Sequence, residues 1–222
     1  MARMTLDDFA TRLSGALGPD LVSLLLYGSA ARAQGAGSRE QNDANTLLIA
    51  RSDARLFDRM AETVRAWIKA GHPAPLIMTE AEWRDSADAF PIEYEDIRAA
   101  HRVLAGKDPW SGIRVRPEHA RRQVEHELMG KLMHLRQAYA AEWGKPKRLA
   151  EVVRGTRAGF LTMLRAVLRL AGRPVPAGDE ALVREAAALI GFAPAGLVEP
   201  DGYLDAVTRT TEYVNTLERK DS

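Results

Sequence analysis

An apolar run that closes with Leu25-Leu26-Tyr27 stops at Gly28-Ser29 and restarts as the small-residue segment Ala30-Ala31-Arg32. The pattern predicts a strand that turns at a glycine into the first turn of a helix. Glycine lets backbone come close to an anion. The Ser29 hydroxyl and successive N–H groups can donate to phosphate oxygens, and the positive end of a helix dipole favours the charge. Most strand-to-helix turns carry Gly or Ser and bind nothing, so the context decides. Fifteen positions after Gly28 stands Asp43, in the polar cluster Asn42-Asp43-Ala44-Asn45, which runs into the second strand-like segment Thr46-Leu47-Leu48-Ile49.

With Gly-Ser followed by an Asp-x-Asn on the next strand, the chain resembles the nucleotidyltransferases of the polymerase-beta-like superfamily, in their small bacterial aminoglycoside-nucleotidyltransferase-like form. The pattern of that superfamily is Gly-Ser and then Asp-x-Asp. Here Asp43 matches the first acid and Asn45 replaces the second. The chain is also similar to a bacterial subgroup with a Ser-Asp-Ile-Asn-like strand, a Phe-Pro-Ile-Glu segment and a His-Arg-Val-Leu segment. These correspond to Asn42–Asn45, Phe90–Glu93 and His101–Leu104, and they would make Asn45 a property of the subgroup.

Hydrophobic periodicity divides the 222 residues into two unlike parts. In the first, helical patterns near 5–17 and 53–70 alternate with strand-length runs near 21–27, 45–50, 75–79 and 91–97. After Pro117 the pattern is helical throughout. Val124, Leu128, Leu132, Leu135 and Tyr139 make one stripe, and Val152, Val153, Phe160, Leu164, Val167 and Leu168 another. Gly144-Lys145-Pro146 separates two long helices, and breaks at 172–178 and 193–202 leave two shorter ones. The expected fold is therefore α+β: a nucleotidyltransferase-like mixed sheet with flanking helices over residues 1–112, then an all-α four-helix bundle over 113–222.

The resemblance implies transfer of a nucleoside monophosphate from a magnesium nucleoside triphosphate to a hydroxyl acceptor. In such a reaction two divalent ions stabilise the attacking and leaving oxygens. Side chains at i and i+2 of a strand share a face, so Asp43 and Asn45 would address the same ions. Asn45 offers a carbonyl oxygen without charge, which predicts one weakly held magnesium and hardly a second. For the third acid, Pro91–Ile97 is the strand-like segment richest in carboxylates. Glu93 is the first choice, as ligand and as general base, with Asp96 in reserve. Edge charges facing solvent are the alternative for both. Arg32 opens the helix after Gly28-Ser29 and is placed for phosphate. Lys131 and Arg136 are candidates for the β- and γ-phosphates, a role basic residues of the helical part play in proteins this chain resembles. A surface pair of Glu127 with Lys131 is the competing reading.

Other classes find no support. The chain has no cysteine, which removes disulfides, thiolate zinc sites and cysteine nucleophiles. Acids at Asp7 and Asp8 and the lack of an apolar run near 20 residues predict a cytoplasmic protein with no membrane partner. Formal net charge is +1, yet residues 113–173 hold fourteen Lys/Arg against five Asp/Glu. That stretch is either a solvated face or the border of a nucleotide site. Nucleic acid is disfavoured, because aromatic residues are not interleaved with the basic ones. His126 and His134 lie two helical turns apart, too far for a shared metal without a third group, and His101 is read as a packing residue. No Gly-x-Ser-x-Gly elbow, Walker loop or dinucleotide fingerprint is present. Two alternatives to an active transferase stay open: a degenerate module that binds nucleotide or a regulatory partner, and a helical part, near 146–171 and 203–218, that serves as a homodimer surface.

Overall fold

The computed structural model describes residues 4–32, 44–51 and 55–217. The chain divides into two units, one of residues 1–89 with 93–115 and one of residues 90–92 with 116–222.

In the first unit, Thr5 caps helix α1 (Leu6–Leu17) through a reciprocal box. The Asp8 N–H donates to the Thr5 hydroxyl and the Asp8 carboxylate accepts from the Thr5 N–H, both at 3.1 Å. Strand β1 (Leu21–Tyr27) follows, then the one-turn helix α2 (Ser29–Arg32), strand β2 (Asn45–Ala50), helix α3 (Leu56–Lys69) and strand β3 (Leu76–Thr79). Helices α4 (Glu80–Asp85) and α5 (Pro91–Ala99) and strand β4 (His101–Gly106) complete it. The sheet runs in the order β3-β2-β1-β4, with β1 antiparallel to both neighbours and β2 parallel to β3. It is the mixed sheet expected from the sequence.

Both faces of β1 and β2 are covered, which explains why these strands read as continuous apolar runs. On one face Leu24, Leu26, Leu48 and Ala50 pack with Phe9 and Leu13 of α1 and Trp67 of α3. Trp67 is fully buried, stacks on Phe9 at 4.3 Å and donates its indole N–H to the Pro73 carbonyl at 3.0 Å. On the other face Leu25, Leu47 and Ile49 pack with Trp83, Tyr94 and Ile97. There the Tyr94 hydroxyl donates to the Trp83 carbonyl at 2.6 Å, and the Trp83 indole donates to the Pro109 carbonyl at 3.0 Å. Each such aromatic contributes roughly 2–3 kcal/mol of burial, and its polar atom is satisfied.

One expectation is overturned. Residues 91–97 are not a strand but most of helix α5. Pro91 is preorganised for a first helical turn and Glu93 complements the dipole there. Tyr94 and Ile97, three apart, are the residues that enter the core. The sheet edge is made by β4 instead, whose His101–Gly106 register pairs it with β1.

The second unit is a bundle of α6 (Pro117–Glu142), α7 (Pro146–Leu170), α8 (Asp179–Ile190) and α9 (Pro200–Leu217). Val124, Leu128, Leu132, Leu135 and Tyr139 of α6 and Val153, Phe160, Leu164, Val167 and Leu168 of α7 are buried in one core with Ala206, Val207 and Val214 of α9. Both stripes read from the sequence are thus used within the bundle. The backbones at Gly196 and Gly202 approach so closely that a Cβ on Gly202 would lie 2.6 Å from Gly196 Cα. No helix among the described residues is long and apolar enough to cross a membrane.

Candidate functional site

The turn after β1 is built around Gly28, whose φ of +77° lies in the region that side chains rarely adopt. Its N–H donates to the Ala100 carbonyl at 3.1 Å, which ties the turn to the start of β4. Its carbonyl accepts the N–H groups of both Ala31 and Arg32. Ser29, exposed, and Ala30 open α2 and supply N–H groups that so short a helix does not use.

Asn45 begins β2 directly opposite Tyr27. A Cβ added to Gly28 would meet the Asn45 amide nitrogen at 3.6 Å, so the Gly-Ser turn and the Asp-x-Asn segment do meet at Gly28 and Asn45. Asp43 lies outside the described residues. His101 of β4 stands opposite Tyr27 on the other side, and directly opposed residues share a face. Asn45, Tyr27 and His101 therefore form a row across this end of the sheet. Burial pushes the Tyr27 phenol up, so it stays protonated. Little in the sequence points to Tyr27, which reads as the last apolar residue of a strand.

His101 is held by its neighbours. Its Nδ1 lies 3.1 Å from the carbonyls of Ile97 and Arg98, and its Nε2 accepts from the Trp110 indole N–H at 3.1 Å. An indole can only donate, so Nε2 carries the lone pair and Nδ1 the proton. The Arg98 guanidinium lies over the Trp110 ring, 4.8 Å from its centroid, and donates to the Ile113 carbonyl at 2.9 Å. His101 thus serves as a brace, and His126 and His134 are exposed on α6.

The acids fall differently from the expectation based on a strand. Glu93 is exposed in the first turn of α5. Asp96, three residues on and hence on the same side of the helix, faces Arg32 at 3.7 Å, with both side chains 19% exposed. The structure therefore brings Asp96 to the element that follows Gly28. None of the four strands carries Asp or Glu among its residues. No group of three His, Cys, Asp or Glu suited to a metal ion occurs among the described residues. Magnesium wants oxygen ligands, preferably anionic, so the described residues alone do not fit a two-ion set.

A cavity of about 200 Å³ in the same unit is lined by Val22, Ile49, Trp83, Lys107 and Asp108 among others. Val22 and Ile49 lie at the other ends of β1 and β2 from Gly28 and Asn45, so this cavity is not the Gly28 site.

Lys131, in the helical unit, is half-buried on α6 and donates to the Thr156 carbonyl of α7 at 3.4 Å. Burial lowers its pKa, and Glu127 one turn back opposes the shift. Arg136 is exposed.

No protein-family model and no curated protein matches the chain. Among solved structures, the fold is similar to that of the spectinomycin adenyltransferase AAD(9) from Enterococcus faecialis, whose crystal structure contains ATP and spectinomycin. The likeness has a TM-score of 0.54 at 11% sequence identity, and covers 96% of this chain and 97% of the other. The chain thus shares its fold with that adenyltransferase over nearly its whole length.

Proposed function

We propose that the protein is a nucleotidyltransferase-like protein that binds a nucleoside triphosphate at the Gly28 turn and transfers nucleoside monophosphate to a hydroxyl acceptor through a weakened metal site. The observation that carries this reading is the positive-φ Gly28, with Asn45 against it, in a fold similar to that of an adenyltransferase solved with ATP. On this reading the Ser29 hydroxyl and the N–H groups of Ser29 and Ala30 donate to phosphate oxygens, and Arg32 supplies positive charge beside them. Asp43 and Asn45 would hold one magnesium, which supplies charge neutralisation when bound. Glu93 takes the proton of the acceptor hydroxyl as the new bond to phosphorus forms and pyrophosphate leaves.

A second reading, binding of nucleotide without transfer in a regulatory role, is favoured by the strands' lack of carboxylates. Restoring the acid separates the two. Asn45→Asp raises pyrophosphate release at least tenfold if the site is a transferase limited by its metal set. An unchanged release rate together with intact nucleotide binding supports the second reading.

Calorimetric titration of ATP, GTP, CTP and UTP, each with and without magnesium, tests both, because it needs no acceptor. The expected result is binding of at least one nucleotide, with the magnesium-dependent part lost in Asp43→Ala. Failure of all four to bind would contradict the proposal.

A further inference from the structure

The cavity beside Val22 and Ile49 lies wholly within the sheet unit, at the ends of β1 and β2 away from Gly28. Its floor is apolar, formed by the buried side chains of Val22, Ile49, Trp83 and Ile113. Its rim is charged. The Lys107 ammonium lies 2.9 Å from the Glu80 carboxylate, and the Arg84 guanidinium lies 3.9 Å from it. Lys107 foremost, then Arg84 and Arg51, hold the Glu80 carboxyl below its ordinary value, so three cations share one carboxylate. Asp108, also at the rim, is committed to its own loop. One of its oxygens accepts the Trp110 N–H at 3.0 Å, and the other lies 3.7 Å from His101 Nε2. The walls are fixed in advance. At Gly106, φ is +79° and a Cβ would lie 2.3 Å from the Val22 carbonyl oxygen, which accepts the Lys107 N–H at 3.0 Å. On the other wall the Trp83 indole donates to the Pro109 carbonyl at 3.0 Å.

We propose that this cavity binds a small organic carboxylate whose apolar body rests on Val22, Ile49, Trp83 and Ile113 and whose carboxylate meets Lys107 and Arg84. Close-packed interiors keep few voids larger than a water molecule, and a preformed apolar cavity with a few convergent polar groups is how proteins hold small ligands. Size sets the body. An apolar cavity of about 150 Å³ holds a benzene ring, and this one, about 200 Å³, has room for the ring and a short link to the rim. Sites for larger ligands start at about 300 Å³, so a nucleotide does not fit. Charge sets the head. The Lys107 ammonium has three hydrogens, of which Glu80 takes one, and a guanidinium such as that of Arg84 can offer a carboxylate two parallel N–H donors. An anionic head answers the surplus of positive charge around Glu80, which a neutral or cationic head leaves unmet. Because the walls are already tied, little ordering opposes binding. The site is complete within one unit and does not depend on the reading of the Gly28 turn.

The test is a methyl NMR titration of the full chain, labelled at Ile and Val, with phenylacetate, phenylacetamide and acetate added separately at constant ionic strength. Phenylacetate is expected to give saturable shifts at the methyls of Val22, Ile49 and Ile113, with a midpoint about millimolar or lower. Phenylacetamide keeps the ring and loses the charge, and should bind about threefold to fivefold more weakly, the scale of an exposed charge pair. Acetate, without the ring, should give no saturable shift at these methyls. Lys107→Gln changes an exposed side chain and should bring phenylacetate down to the level of phenylacetamide. Ser111→Trp, at an exposed position of the lining, should block the mouth and remove the shifts with both aromatic probes. Gly28→Ala should leave phenylacetate binding as it is, which separates this site from the Gly28 reading. The proposal is overturned if phenylacetate gives no saturable shift at the three residues, if phenylacetamide or acetate binds as well, or if Lys107→Gln or Ser111→Trp binds phenylacetate as wild type does.

Discussion

The two units differ in what they set against partly buried charge. In the sheet unit Arg32 faces Asp96, Arg59 meets Asp20 at 2.6 Å and donates to two α1 carbonyls, and Arg98 pairs with Glu95 at 3.1 Å. In the bundle Arg165 pairs with Asp179 at 2.7 Å and Arg121 with Glu125 at 3.0 Å, whereas the half-buried Lys131 donates to the Thr156 carbonyl. Internal pairing is how a fold keeps charges it needs for structure. At the Gly28 turn, Arg32 is already partly neutralised by Asp96. Phosphate binding there must rest more on backbone N–H groups than on net charge.

The largest expected effect concerns packing on the sheet. Trp83→Ala removes a fully packed indole, its bond to the Pro109 carbonyl and its stack on Tyr94, 4.3 Å between centroids. It should cost about 3–5 kcal/mol in urea unfolding; a cost under about 1 kcal/mol would mean that this face does not anchor the sheet.

A smaller pair of substitutions addresses the charge contrast itself. Asp96→Ala removes the carboxylate that faces Arg32, both side chains being 19% exposed, and should destabilise by roughly 1–3 kcal/mol. Glu127→Gln beside Lys131 should change stability by less than about 0.5 kcal/mol, because no ion pair is broken. Equal costs for the two would break the comparison.

Gly28→Ala forces a Cβ into φ +77° and should cost about 1–2 kcal/mol, with a fall in nucleotide affinity that Gly144→Ala, also at positive φ but far along the chain, does not share.

One feature is common to both units. Burial pushes Tyr94 and Tyr139 up to about 12, and their hydroxyls donate to the carbonyls of Trp83 and Pro200. The folded state therefore favours the neutral phenol. That contribution is whole below the unfolded value near 10 and is lost as pH rises through about 12. Urea midpoints should fall between about pH 10 and 12, and less steeply in Tyr94→Phe and in Tyr139→Phe.

Periodicity made most of the fold legible. The helical stripes of α3, α6 and α7 and the unbroken apolar runs of β1 and β2 come from burial that local sequence records directly. Residues 91–97 misled because Ile92, Tyr94 and Asp96 alternate like a strand, while the contacts that decide the matter, Tyr94 and Ile97 on the sheet, are three apart. Strand β4 went unseen because it is an edge with Val103 exposed, so its sequence carries no clean alternation. At the site, Gly28 and Asn45 were readable from a motif and a spacing. Tyr27 was not, since only the register of β1 with β2 and β4 brings it between Asn45 and His101.

Hydrogen exchange read by mass spectrometry, on the full chain with and without saturating magnesium ATP, locates the nucleotide directly. The account predicts slowed exchange in segments carrying Tyr27–Arg32 and the start of β2 at Asn45. Binding of ATP with no protection at the Gly28 turn, or with protection confined to other parts of the chain, would contradict it.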